Sequence, residues 1–364
     1  MWENHNFTAM KSISILSFII CSLLYCTPKI QPSNISTART SNIWIPLNAG
    51  ETASFRGLHA VNENIVWVSG SNGVVLRTTD AGKTWERKPI PNTDSLQFRD
   101  VHAFNQNLAF VISAGLPAKI YKTINGGESW NEVYASNQEG VFFDAMDFWD
   151  KKHGIAFSDP INGHLFIITT ADGGETWQEV PKENIPSVVD GEAGFAASGT
   201  CLTVQGDKNV WIGTGGKAAR VFRSTDRGKS WKVSATPIAH GKPSTGIFSL
   251  AFKDASNGIA IGGDFANDTL SSNNIATTTD GGTTWRLMAR NPYGYKSCIT
   301  YINGTKLIAV GTSGTDISHN SGLAWQKVDT TGYHVVSFSK NGKVGFAAGG
   351  DGRIARFNNL SEQK

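Results

Sequence analysis

The chain has 364 residues, 40% of them hydrophobic and 17% charged, with a formal net charge of +3. That apolar content suffices for a large core and excludes the composition of a disordered chain. A balance of +3 is too slight for a surface devoted to phosphate backbones, so nucleic acid is not an expected partner.

At the N-terminus, Lys11 precedes an apolar run from Ile13 to Cys26. Its length and single positive flank fit a secretory signal rather than a spanning helix, with Met10 as an alternative start. Residues 1–26 are therefore expected to be a signal peptide. Leu23-Leu24-Tyr25-Cys26 has the outline of a lipobox, although Tyr25 is bulky where a small residue is expected. Lipidation of Cys26 and simple cleavage nearby are both retained. Residues 27–41, rich in Pro, Ser and Thr, read as a flexible linker. The protein is thus expected to be exported, as a periplasmic, outer-membrane lipoprotein or extracellular protein, touching a membrane only through a lipid anchor.

From residue 42 onward one pattern repeats. Thr79-Asp80-Ala81-Gly82-Lys83-Thr84-Trp85 is echoed by five further runs that end at Trp130, Trp177, Trp231, Trp285 and Trp325. Their Asp or Asn positions, Asp80, Asn125, Asp172, Asp226, Asp280 and Asn320, follow one another at intervals of 45, 47, 54, 54 and 40 residues, the period of a propeller blade. Before each box stands an alternating segment such as Lys119-Ile120-Tyr121-Lys122-Thr123, which predicts a half-buried strand. The box is then a hairpin turn. Asp or Asn binds backbone amides two residues on, Gly supplies positive φ, and Trp packs back over the hairpin. Two more strands upstream, as in Leu58–Val61 and Val66–Ser69, make four per repeat.

Six boxes imply seven blades. Tyr333–Phe338, Val344–Gly350 and Arg353–Phe357 supply three strands of a further unit and stop without a Trp, while Asn42–Leu47 precedes the first unit as a fourth strand would. The prediction is an all-β, seven-bladed β-propeller of four-stranded blades over residues 42–358. Its N-terminal strand joins the C-terminal blade, which closes the ring and removes open edges. Residues 359–364 form a tail.

The boxes resemble the BNR/Asp-box repeat, and Phe55–Asp80 resembles the photosystem II stability/assembly factor-like propellers. The resemblance spans roughly residues 43 to 357 at the level of repeat architecture. It implies a propeller that binds a membrane-protein intermediate through a basic patch. Asp boxes also occur in sialidases, xyloglucan-degrading propellers and non-enzymatic receptors, so fold alone does not assign an activity.

Because the boxes fill third-to-fourth turns, their acids lie on the face away from the usual ligand mouth and read as structural. On the opposite face, Arg56 and Arg99 begin the innermost strands of blades one and two, Lys296 that of blade six, and Asp144 holds the corresponding place in blade three. With Arg220 and Asp351 in second-to-third loops, these are the expected binding residues. Longer connections at 184–194, 239–246 and 265–274 extend the same face, where recognition is usually carried.

An enzyme is the less favoured reading. The nearest match to the arginine-led sialidase motif, Trp44-Ile45-Pro46, lacks the arginine. Glycoside hydrolysis needs two carboxylates about 5 to 9.5 Å apart. Asp159, Asp264, Asp190 and Glu192 are the candidates for such a pair. No metal, dinucleotide or serine-hydrolase motif is present, so no metal or cofactor is expected. Cys201 and Cys298, in first-strand contexts of blades that are not adjacent, read as buried core thiols, and His59 and His102, at equal blade positions, as packing residues. The leading expectation is a monomeric exported propeller that recognises a protein partner through its channel mouth, and the alternative is a glycan-cleaving or glycan-binding protein.

Overall fold

The computed structural model describes residues 42–358. The expected signal peptide with Cys26, the linker 27–41 and the tail 359–364 lie outside the described residues.

Seven antiparallel sheets follow one another in chain order. Blade one comprises Phe55–Ala60, Val66–Gly70, Val75–Thr78 and Glu86–Arg87, and blade two Gln97–Ala103, Ala109–Ala114, Ala118–Thr123 and Asn131–Ser136. Blade three runs Phe143–Phe148, Gly154–Ile161, His164–Thr170 and Gln178–Glu179, and blade four Leu202–Gln205, Asn209–Gly213, Arg220–Ser224 and Lys232–Ala235. Blade five is built on Thr245–Phe252, Gly258–Asp264, Ile275–Thr278 and Arg286–Leu287, and blade six on Cys298–Asn303, Lys306–Gly311, Gly314–Ser318 and Gln326–Asp329. Val335–Phe338, Gly345–Ala348 and Ile354–Phe357 form blade seven with Trp44–Leu47 as its outermost strand, in register Trp44↔Phe357 through Leu47↔Ile354. The predicted seven blades and head-to-tail closure are both present.

One blade departs from four strands. Glu192–Ala193 and Gly215–Gly216 pair with each other, and Gly215 pairs with Gly246, which extends the inner edge of blade five to six strands.

The period-two alternation of each strand sends successive side chains to different neighbours. In blade three, Ile155, Phe157 and Ile167 pack towards Val210 and Phe222 of blade four, while Ala156 and Ile168 pack towards Phe110 and Ile120 of blade two. The core is therefore a ring of inter-blade clusters. The largest gathers blades six, seven and one around Phe346, Ile354 and Trp44.

The Asp boxes close the hairpins as expected. Thr78 Oγ1 donates to Asp80 Oδ1 at 2.8 Å, and Asp80 in turn accepts from the Thr84 amide at 2.9 Å and the Thr84 hydroxyl at 2.6 Å. Gly82 sits at φ +83°, where a Cβ would lie 2.7 Å from Leu47 Cδ1. The residue before it, Ala81, also has positive φ, and its amide donates to Asn64 O in the first-to-second turn. The same amide-to-carbonyl link recurs from Gly126 to Asn107, Gly173 to Lys152, Arg227 to Lys208, Gly281 to Ser256 and Ser321 to Thr305. Those six bonds fix the boxes and the first-to-second turns on one face, leaving the opposite face to the remaining loops.

Candidate functional site at the channel mouth

On the face away from the Asp boxes, a cavity of about 400 Å³ opens at the channel mouth. Its residues arrive there through a shared backbone device. The ladder of the first two strands shifts register between Phe55 and Gly57, Phe98 and Asp100, Phe143 and Ala145, and Ile247 and Ser249. Each shift leaves one extra residue on the inner strand: Arg56, Arg99, Asp144 and Phe248. A β-bulge re-aims the side chain it carries, and all four line this cavity.

Arg56 donates to Ala197 O at 3.1 Å and Arg99 to Ala196 O at 3.2 Å. Neither has a carboxylate among its hydrogen-bond partners. Burial lowers the pKa of Arg56, and burial together with the neighbouring charge of Arg56 brings Arg99 to about 10. Asp144 is 1% exposed and both its carboxyl oxygens lack a hydrogen-bond partner. Burial first, then the Asp159 charge, pushes it well above the usual carboxylate range. Asp159 accepts from the Gly194 amide at 2.9 Å and is raised by burial to about 6. His334 Nδ1 donates to Phe55 O at 3.1 Å, and burial beside Arg56 lowers it to about 4. Stacked Phe195 and Phe248, with ring centroids 3.9 Å apart, and half-exposed Phe265 form the aromatic wall.

The other residues expected at this site are elsewhere. Lys296 is fully buried, ion-paired with Asp316 at 2.6 Å and donating to Ser313 Oγ and Gly314 O. The ladder of blade six begins only at Cys298, so Lys296 precedes the inner strand, and its ammonium is held inside the blade by Asp316 and Ser313 instead of facing the channel. Arg220 closes on Glu192, a fully buried carboxylate that also accepts from Thr214 Oγ1 and the Val189 amide. Asp264 caps the short helix Phe265–Asn267 through the Ala266 amide, with Lys242 3.6 Å away. Asp190 and Asp351 are exposed and outside the cavity. Of the four carboxylates weighed for hydrolysis, only Asp159 reaches the mouth.

Two features were not legible beforehand. Residues 194–200, between Glu192–Ala193 and Leu202–Gln205, belong to no ladder and run across the channel. They touch blade three through Gly194, blades two and one through Ala196 O and Ala197 O, and blade six through Ser198 Oγ on Ser297 O at 2.7 Å. Beneath them, on the Asp-box face, lies a second cavity of about 310 Å³. His102 Nδ1 stands 3.2 Å from Asp147 there, against His59 at a ring separation of 4.6 Å, and buried Asp100 is raised by desolvation to about 7. Matched His59 and His102 were the available signal. Among the described residues no group of His, Cys, Asp and Glu is disposed to hold a metal ion. Cys201 and Cys298 are buried and unlinked.

Fold and repeats define a BNR-type, seven-bladed β-propeller. The family described as photosynthesis system II assembly factor YCF48 matches residues 36–140, which bears out the resemblance carried by the Asp boxes. The photosystem II assembly lipoprotein Ycf48 of Synechococcus sp. (strain CC9902) is 26% identical over 227 residues, 60% of this chain and 57% of that protein. The alignment thus spans little more than half the relative's length. A solved structure of YCF48 bound to D1 peptide superposes with a TM-score of 0.64 at 16% identity, covering 87% of this chain and 95% of that one. An ancestral GH74 enzyme superposes at 0.62 with 15% identity, over 89% of this chain and 47% of its own. At such identities the superpositions establish the fold alone.

Proposed function

We propose that this protein is a non-enzymatic binding propeller of the assembly-factor kind, which takes an acidic segment of a protein partner at the bulge-lined mouth. One observation carries the reading: Arg56 and Arg99 bring two partly desolvated guanidiniums to one cavity with only neutral carbonyls as partners. A carboxylate offers each guanidinium an opposite charge and a two-point, bidentate fit that a lone neutral carbonyl does not. Asp144 does not supply that carboxylate, because its burial favours the protonated acid. The YCF48 relatives, one of them bound to a D1 peptide, support a protein partner. The relative's being a lipoprotein supports export and membrane attachment through Cys26.

The test is co-purification from the cells that make the protein, with wild type and Arg56→Gln/Arg99→Gln compared by quantitative mass spectrometry. Partner recovery should fall at least tenfold in the variant, and equal recovery overturns the reading.

The hydrolase alternative has narrower support in Asp144 and Asp159, two raised carboxyls in one cavity. Turnover in a glycan screen, abolished by Asp159→Asn, would favour it.

A further inference from the structure

The segment Gly194–Thr200 forms the wall between the two cavities: Gly194 to Ala197 line the upper one and Ser198 to Thr200 the lower. It is built to cross a narrow space. A Cβ on Gly194 would stand 2.3 Å from Asp144 Oδ2, and one on Gly199 2.3 Å from Asp100 Oδ1, so each glycine rests directly on a buried acid. Having no ladder bonds, the segment is held largely by side chains from other blades. Two of those holds are the bonds from Arg56 and Arg99, the same guanidiniums that face the mouth. The lower half is tied separately, by Ser198 Oγ to Ser297 O and Thr200 Oγ1 to Ser249 Oγ, both at 2.7 Å.

We infer that residues 194–197 are a displaceable strap: an anionic group entering the upper mouth takes Arg56 and Arg99 from the carbonyls of Ala197 and Ala196, the strap lifts, and the two cavities join. The inference rests on the reading of the mouth as an anion-binding face. A carboxylate can displace a backbone carbonyl from arginine because it adds an opposite charge and a bidentate fork that a neutral carbonyl lacks, while the bonds from Ser198 and Thr200 keep the lower half in place. The unpartnered carboxyl of Asp144 lies where the strap would leave, so its cavity becomes accessible from both ends of the channel. The mouth in its resting form is thereby self-occupied, with the protein's own backbone as the competitor that a partner must outbind.

Hydrogen–deuterium exchange of the full-length protein, read by mass spectrometry on peptides covering 194–200, tests this. Loss of two bonds to charged donors should raise strap exchange about tenfold or more in Arg56→Gln/Arg99→Gln, with Cys298–Asn303 unchanged. Citrate added to wild type should produce the same local acceleration and none in the double variant. Strap exchange unchanged in the variant, or acceleration spread over all inner strands, overturns the inference. Should the double variant fail to fold, the single variants and the citrate titration on wild type give the reading, with slower or unchanged strap exchange in citrate counting against it. A partner that binds while the strap stays protected refutes displacement but leaves the binding function standing.

Discussion

Trp44 lies opposite Phe357 in the ladder that joins the first strand to the last, with its ring edge-on at 5.7 Å, and donates its indole N–H to Thr315 Oγ1 of blade six at 2.9 Å. One side chain therefore ties both termini to a neighbouring blade. Trp44→Ala removes the buried ring and leaves a cavity, and should cost about 3–5 kcal/mol in denaturant unfolding. Ile45→Ala, one residue on but 44% exposed, should stay within about 0.5 kcal/mol. Equal effects would mean the closure does not carry stability.

Lys296 and Asp316 form a buried pair, 0% and 2% exposed. Lys296→Ala should destabilise by about 3–5 kcal/mol, because Asp316 is left as an uncompensated buried charge. Lys296→Met combined with Asp316→Leu should recover much of that loss. A thermal melt in which the double change is worse than the sum of the singles would contradict this account.

Asp159 is raised by burial from 3.8 to about 6, so the folded state holds its proton at pH values where the unfolded chain has released it. A raised acid pKa makes stability fall as pH rises through that window, by up to about 3 kcal/mol between pH 4 and 6, and level off above it. Asp159→Asn keeps an acceptor for the Gly194 amide and should flatten the profile. A difference between variant and wild type that is the same at pH 4 and pH 7 would refute the assignment.

His334, lowered to about 4 by burial beside Arg56, acts in the opposite direction. Its depressed pKa gives stability that is present above about pH 6.5 and lost as pH falls towards 4. His334→Gln should reduce the acid sensitivity in that interval, seen in urea midpoints taken from pH 7 to pH 4.

The Asp-box acids hold their own turns. Asp80→Asn should be tolerated, since Asn125 makes the equivalent bonds, accepting from the Ser129 amide at 3.0 Å and donating to its hydroxyl at 2.9 Å. Asp80→Ala should lower the melting temperature and loosen the hairpin in amide exchange. Hydrogen bonds from Thr84 hold the Asp80 pKa at about 2, so its contribution persists until pH falls below the ordinary aspartate range.

Blade count, the closure between residues 44 and 357 and the turn chemistry at all six boxes could be read from residue order alone. The boxes are a local signal of fixed internal spacing in which Asp or Asn, Gly and Trp have one turn to satisfy, and the closure follows from the unit left incomplete at either end. Residue order also placed Arg56, Arg99 and Asp144 on a common face. Which side chains meet was set by the packing of the blades. A single extra residue in an inner strand reverses the side-chain alternation, and that bulge carries Arg56, Arg99 and Asp144, whereas Lys296 lies ahead of a strand that starts at Cys298 and is drawn into the buried pair with Asp316. The crossing segment 194–200 carries no periodicity, because its course is set by contacts from five different blades and not by its own neighbours in the chain. Likewise Glu192 and Arg220 stand 28 residues apart, and only the packing of blade four against blade five turns two candidate site residues into a structural pair.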